Sequence, residues 1–313
     1  SSSTRGSRKE FPAVAVIVAE ASKVTIYDGD TPDLDMWMVF ESSGSSYSSK
    51  FLPRSVVILK AVAMVNGFLA VGGNQGGPYH DAFVEISFLK DEALFRSSSL
   101  VSKFHGGISA RNSTSSSAIT GSHIVHATIN DIAITVLPNA PIDSATGLPT
   151  PTIAVATDGG VSVIKDDGSV LSNSANTFKL QKAIAMGDGK LFMGIEHDGS
   201  TYGYPMVMDI PTSSFSWNGA SSNLSLNGFT FPIRSATDGY PSALAILNNN
   251  KYAVGLTSTN GQPQSTGLLN LIKAPTTITN AAAWSALNGS EARITSDYNT
   301  GYMTGDIKGA WLS

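Results

Sequence analysis

The sequence predicts an all-β protein and, within that class, a β-propeller of five or six visible blades, each an antiparallel sheet of three or four strands. Three observations lead there. Few stretches keep apolar residues at i, i+3, i+4 and i+7 for three turns, because Gly, Asn, Ser and Thr interrupt them. Short apolar runs alternate instead and come in pairs joined by turn residues. The same plan recurs from starting positions near 14, 61, 126, 183 and 243, roughly 47 to 65 residues apart, a period at which self-similarity marks propellers or solenoids.

Taken in order, VAVIVAEASKVTIYDG (14 to 29) reads as two β-branched arms joined by a small polar link, with MWMVF (36 to 40) as a third strand. KAVAMVNGFLAVGG (60 to 73) repeats the plan around Asn66-Gly67, followed by AFVEISFLK (82 to 90). Asn-Gly is a strong hairpin pair because a type I′ turn needs positive φ at both central residues. HATINDIAITVL (126 to 137) predicts a hairpin turning at Asn130-Asp131, with an additional strand pair in TIAVATDGGVSVIKDDGSVL (152 to 171). KAIAMGDGKLFMGI (182 to 195) turns at Asp188-Gly189 and is followed by YPMVMDIP (204 to 211). SALAILNNNKYAVGL (242 to 256) turns through Asn248 to Asn250 and is followed by GLLNLIKAP (267 to 275). A sixth, partial unit is expected from about Tyr302.

Sheets this small are not stable alone, and radial stacking would bury their faces while leaving only short edges. A β-sandwich, or two, would also supply short strands and turns. The recurrence of KAVAM, KAIAM and SALAI favours the propeller, whose blades need similar small-residue strands around a crowded axis. The domain division is a polar lead-in over 1–12, without an apolar stretch of signal-peptide length, and a propeller domain over 13–313. Because DIKGAWLS stops inside an apparent apolar strand, the domain is expected to be truncated at its C-terminus from a longer chain.

Composition excludes several classes of function. Twenty Lys plus Arg against 24 Asp plus Glu leave a net charge of −4, so no electrostatic attraction to nucleic acid is expected. The absence of Cys removes disulfides, Cys-ligated zinc and thiol catalysis. No run of about 18 apolar residues occurs, so no spanning helix is expected.

Catalytic motifs are missing as well. The chain has no GxSxG nucleophile elbow. Gly187-Asp188-Gly189-Lys190 is too short for a phosphate loop, and GGNQGG (72 to 77) lacks the GxGxxG spacing and reads as a loop. The Asp boxes of sialidase-type propellers are missing, with DGS at 167 to 169 and 198 to 200 matching only a part. His123 and His126 are spaced HxxH, but an offset of three on a strand sends side chains to opposite faces. Glu196, His197 and Asp198 alternate sides for the same reason. Asp28, Asp30, Asp33 and Asp35 supply carboxylates that suit calcium. Their spacing lacks the EF-hand register, and a solvated turn capping backbone N–H groups is the competing reading. No other cofactor is expected.

Glycan binding calls for aromatic rings that stack on sugar faces, beside polar groups that read the hydroxyls. Tyr79, Tyr202, Tyr204 and Tyr240 fall in expected outer loops at similar offsets after successive hairpins and are the candidate ligand-binding residues. Packing between neighbouring blades is the competing role for each.

TIAVATDGGVSVIKDDGSV (152 to 170) is similar to the blade motif of bacterial regulator-type propellers, in which a strand ending in a TDGG turn precedes a strand ending in a DG turn. More broadly, VAVIVAEASKVTIYDGD with MWMVF, and TSDYNTGYMTGDIKGAWLS at the other end, resemble the propeller-like region of virion tail or fibre proteins of tailed bacteriophages. That resemblance implies a non-enzymatic virion protein located in the extracellular particle. Its implied partners are other virion proteins, a possible second copy of itself and a host-surface glycan. It assigns no catalytic residue. The alternatives are a polysaccharide-degrading glycosidase or depolymerase, which would need two carboxylates near a central channel, and a secreted bacterial adhesion or sensor propeller.

Overall fold

The computed structural model describes residues 4–20, 22–42, 50–52, 57–75, 82–144, 147–173, 180–187, 189–196, 203–213, 240–247, 251–257, 270–273, 290–295 and 307–312. The chain is all-β and antiparallel: among the described residues there are six sheets, one 3-10 turn over Ile108–Ala110 and no α-helix. No described helix is long and apolar enough to cross a membrane.

Sheet one is β1 (Ala15–Glu20), β2 (Lys23–Asp28) and β3 (Met36–Glu41), in that order. Residues 4–6, within the polar lead-in, lie along its outer edge. The Gly6 N–H donates to Trp37 O at 2.9 Å and the Val39 N–H to Thr4 O at 2.9 Å. Arg111 holds them there, its guanidinium donating to Val39 O, Ile108 O and Thr4 O at 2.7, 3.2 and 2.6 Å.

Sheet two departs from the three- or four-stranded expectation. It runs β4 (Val57–Val65), β5 (Phe68–Gln75), β6 (Ala82–Ser87), β7 (Glu92–Arg96), β8 (Val101–Phe104) and β9 (Ser116–Ile119). Asn66 and Gly67 have φ of 47° and 71°, as the type I′ turn requires. Beyond it, β5 continues through Gly72 to Gln75, so the first part of GGNQGG is ladder and not loop.

The third unit corrects the sequence reading. Residues 126 to 137 do not form a hairpin, because Asn130 and Asp131 lie inside the single strand β10 (Ile129–Thr135). Its partner is β11 (Thr152–Thr157), followed by β12 (Gly160–Ile164) and β13 (Val170–Asn173). Sheet four is β14 (Leu180–Gly187), β15 (Lys190–Glu196) and β16 (Gly203–Asp209); sheet five is β17 (Tyr240–Leu247), β18 (Lys251–Thr257) and β19 (Asn270–Lys273). Sheet six pairs β20 (Ser290–Thr295) with β21 (Ile307–Leu312), so its first strand begins before the expected Tyr302. Ser313 lies outside the described residues.

Sheets one to five meet in succession through their first strands. The strand β4 lies beside β1 and β10, and β14 lies beside β10 and β17. Four of these first strands carry a β-bulge at the same place, where Lys60, Asn130, Lys182 and Ser242 are the extra residues in registers that jump from Leu59 to Ala61, Ile129 to Asp131, Gln181 to Ala183 and Pro241 to Ala243. A bulge sharpens local twist and tilts the strand beyond it. Beyond the bulge in β10, the Asp131 carboxylate accepts the Ile184 N–H of β14 at 2.8 Å and the Ile132 N–H at 2.9 Å. Burial pushes that carboxyl group above its ordinary range, against the pull of the two N–H bonds.

The side-chain period of two splits sheets two and three each between two cores. In β5, Leu69 and Val71 face sheet one with Val24, Ile26 and Phe40, while Ala70 faces sheet three with Ile129, Ile132 and Ile153. In β11, Ile153 and Val155 belong to that second core, and Ala154 and Ala156 to a third with Ile184, Leu191 and Met193 of sheet four. At Gly72 the approach is closest: a Cβ there would sit 2.5 Å from Ile129 Cγ2 and 2.8 Å from Ile132 Cδ1. Gly72→Ala should therefore destabilise the fold by about 1–3 kcal/mol through overpacking, read as a lower urea midpoint. An unchanged midpoint would mean that sheets two and three stand further apart than the structure has them.

Candidate functional site

The carboxylates considered for calcium are organised around an arginine. Arg8 donates to both oxygens of Asp28 at 2.9 and 2.8 Å and to Asp30 Oδ2 at 2.8 Å. Asp30 also accepts the N–H groups of Ala13 and Val14, both at 2.9 Å. The Ala13 N–H, the Arg8 side chain and the Val14 N–H hold the Asp30 carboxyl below its ordinary range. The Asp35 carbonyl accepts the Asp28 N–H, and the Asp35 N–H donates to Thr31 Oγ1, while Asp33 lies in the intervening turn. Among the described residues no group of three or more His, Cys, Asp or Glu is placed to hold a metal ion. Arg8 supplies the positive charge that the sequence reading gave to calcium, and it thereby ties the N-terminal segment to the end of β2.

Of the four tyrosines, Tyr79 and Tyr202 lie outside the described residues. Tyr204 is in β16, opposite Ile195, and Tyr240 opens β17, opposite Thr257. Both are ladder positions and not the loop positions expected, in line with the preference of Tyr for strands. Glu196 ends β15 opposite Gly203, and His197 and Asp198 lie outside the described residues. His123 and His126 precede β10 and are not on a strand; His126 Nδ1 accepts the Thr128 N–H at 3.1 Å. In a shallow depression at the end of sheet two, His105 Nε2 and Ser117 Oγ are 2.8 Å apart. Among the described residues no carboxylate orients that ring, so the third member of an activated serine site is not in place.

A different polar site lies where sheet two faces sheet three, and the sequence reading missed it. Alternation in β6 turns Glu85 and Ser87 toward sheet three, and the register places Leu94 opposite Glu85 and Glu92 opposite Ser87. Arg96 stands one pair further along, opposite Phe83. The other wall comes from Pro151, Ile153 and Ile164 and the turn from Lys165 to Gly168, enclosing a cavity of about 130 Å³. Arg96 is 4% exposed. Its Nε lies 3.6 Å from Glu85 Oε2, too far for a direct hydrogen bond, and neither atom has a hydrogen-bond partner. Its Nη1 donates to Ser122 O at 3.1 Å.

Four carboxylates line this groove, Glu85, Glu92, Asp166 and Asp167, against three cations, Lys90, Arg96 and Lys165. Glu92 is ion-paired with Lys103. Asp167 accepts the Ser169 N–H at 2.8 Å, and the Ser169 side chain and N–H hold its carboxyl group down. Glu85 goes the other way: burial pushes its carboxyl up, against the pull of Arg96 and Lys90. A visible sign of the site was present in the sequence, since AFVEIS and EALFR each set a charge beside apolar strand residues.

No family model matches the chain, and no curated protein matches it. Solved structures similar to it include a protein of unknown function from Bacteroides caccae, at 10% identity over 82% of this chain and 89% of that one, with a TM-score of 0.31. A functionally unknown protein from Desulfotomaculum acetoxidans DSM 771 is similar at 13% identity over 77% and 75%, with a TM-score of 0.31. The dihydro-heme d1 dehydrogenase NirN in complex with DHE is similar at 12% identity over 86% of this chain and 63% of that one, also at 0.31. Likeness at this level carries no argument about activity.

Two outcomes follow from the carboxylates. Treatment with a calcium chelator should leave the melting temperature unchanged while Arg8→Ala lowers it; a fall with chelator in the wild type would restore the calcium reading. The raised Glu85 carboxyl means that the folded chain keeps a proton which the unfolded chain, at the ordinary 4.5, has released. The stabilisation is complete below that value and lost as pH rises through the folded-state one. Glu85→Gln cannot ionise, so the stability of wild type relative to this variant should fall as pH rises above the ordinary carboxylate range and through the raised folded-state value. A difference that stays constant across that range would place Glu85 in a solvated setting.

Proposed function

We propose that the chain is a non-enzymatic virion protein of a bacteriophage tail or fibre, built as a β-propeller and able to bind a host-surface glycan. The observation that carries the architectural part is the run of adjacent first strands, β1, β4, β10, β14 and β17, four of them bulged at one place. Sheets stacked through their first strands, with both faces of the middle ones covered, are what radial repetition produces. The likeness of both chain ends to tail and fibre propellers supports the virion part, with other virion proteins or a second copy as neighbours. A rigid stack of small sheets suits a spacer that displays loops at its rim. The tyrosines at 79, 202, 204 and 240 remain the proposed sugar contacts.

A polysaccharide-degrading reading draws on the four carboxylates of the groove, because acid and base pairs of this kind cleave glycosidic bonds. Against it, Glu85 faces Arg96, Glu92 is paired with Lys103 and Asp167 is engaged by Ser169. Purified protein should therefore bind host cells or their surface polysaccharide without releasing reducing ends, and antibody against the chain should label the tails of purified particles in electron micrographs. Binding should weaken in the Tyr202→Ala, Tyr204→Ala double variant. Reducing-end release that disappears in Glu92→Gln would replace this reading with a depolymerase, and unlabelled particles would remove the virion assignment.

A further inference from the structure

We propose that Lys182 and Asn130 become joined by an isopeptide bond between sheets four and three, formed with Asp158 as the proton carrier. This stands apart from the virion reading and does not rest on it. The three groups such a bond needs, an amine, a carboxamide and a carboxylate, come from different elements and meet at one oxygen. Asn130 Nδ2 donates to Asp158 Oδ1 at 2.7 Å, and Lys182 Nζ lies 3.6 Å from the same Oδ1. Asn130 is the bulge residue of β10 and Lys182 that of β14. The register of each ladder jumps there, which turns the residue out of the regular alternation. Next to the first bulge, Asp131 accepts the Ile184 N–H at 2.8 Å and ties the two strands side by side.

The turn that carries Asp158 is braced on both sides. In Thr157-Asp158-Gly159-Gly160, the TDGG turn of the sequence, Thr157 Oγ1 donates to Gly160 O at 2.7 Å and accepts the Gly159 N–H at 3.1 Å. The Asp158 N–H donates to Thr128 O at 3.2 Å. The Lys182 and Asp158 side chains are 24% and 30% exposed, so most of each is withdrawn from water, which limits competing hydrolysis of the carboxamide. The Lys182 ammonium passes a proton to Asp158, and the neutral Nζ attacks Asn130 Cγ. The Cγ–Nδ2 bond breaks as Asp158 returns its proton to Nδ2. Nζ keeps one of the three hydrogens of its ammonium form; the other two leave with Nδ2 as ammonium, and Asp158 ends as a carboxylate. No oxidant or further reactant is consumed. Holding amine and carboxamide on one framework makes the attack intramolecular, which is what brings an unreactive carboxamide within reach, and the flexible Lys stem lets Nζ cover the remaining distance. The chain has no Cys for a disulfide. The bond would add a covalent tie to an interface otherwise packed through Ala154, Ala156, Ile184 and Met193.

The test is the mass of the purified full chain, which should be lighter than its sequence by one ammonia. Asn-Gly steps such as Asn66-Gly67 also lose ammonia when they cyclise, so the location decides. Tryptic digestion should leave the chain uncut after Lys182 and yield a branched peptide that carries the Asn130 and Lys182 segments together. Lys182→Arg keeps a positive charge opposite Asp158 but has no primary amine, so the branched peptide should vanish and the ammonia be retained. Asp158→Asn, nearly isosteric, should do the same; if it fails to fold, the maps of the wild type and of Lys182→Arg decide the matter. An ordinary ion pair beside a hydrogen bond is the arrangement that defeats the proposal, and it would show as a wild type at full sequence mass. Ammonia loss without the branched peptide, or a branched peptide that persists in Lys182→Arg or Asp158→Asn, would overturn it as well.

Discussion

Double-sided burial is the constraint on which the rest of this structure depends. Sheets two and three are covered on both faces, so alternate apolar residues of their central strands belong to different cores. Val71 packs toward sheet one, and Ala70 and Gly72, its immediate neighbours, pack toward sheet three. The small residues lie on the tight side. Ala61, Ala70, Ala154, Ala156 and Ala183 are all at most 7% exposed, and they let neighbouring sheets approach where branched side chains would hold them apart. The Ala-rich first strands are thus a consequence of packing, and their recurrence along the chain follows from the recurrence of the same interface.

Such interfaces also decide where polar groups can be tolerated. Several buried polar groups sit at junctions between elements and are used there. Arg111 joins the N-terminal edge, β3 and the 3-10 turn through three carbonyl oxygens. Asp131 joins β10 to β14 through a backbone N–H. Ser162 links β12 to Ser172 at 2.9 Å and accepts the Val125 N–H at 2.8 Å. Glu85 and Arg96 form an ion pair at 3.6 Å, and Glu85 Oε2 and Arg96 Nε, like Thr25 Oγ1, Thr152 Oγ1 and both Asn173 side-chain polar atoms, are buried without a hydrogen-bond partner. A buried carboxylate and guanidinium just out of hydrogen-bond reach are costly to keep.

Much of the architecture was legible locally. Asn66-Gly67 predicts its own turn because few other pairs accept positive φ twice. The strands at 36 to 40, 82 to 90, 204 to 211 and 267 to 275 were legible because β-branched and apolar runs between turn residues have few other uses. The error at 126 to 137 has the opposite cause: Asn130-Asp131 looks like a turn, but Asn130 is a bulge residue and Asp131 caps the Ile184 N–H of the next sheet. In that register NDIAI is a further copy of KAVAM, KAIAM and SALAI, hidden by two polar residues whose partners are distant, Asp158 lying 28 positions from Asn130 and Ile184 lying 53 from Asp131. The short, polar β9 was hidden as well, since its residues are largely exposed and carry little pattern.

What the sequence determined by itself is therefore the class: antiparallel strands, the hairpin turns and the repeat, all set by steric preferences within a few residues. Only the tertiary structure decided which charges meet. Arg8 reaching Asp28, Arg111 reaching Thr4, and Glu85 facing Arg96 across β6 and β7 depend on register and on the stacking of whole sheets. A local pattern states which residues share a face. It does not state what stands opposite that face, because this is fixed by closure between segments distant in the chain.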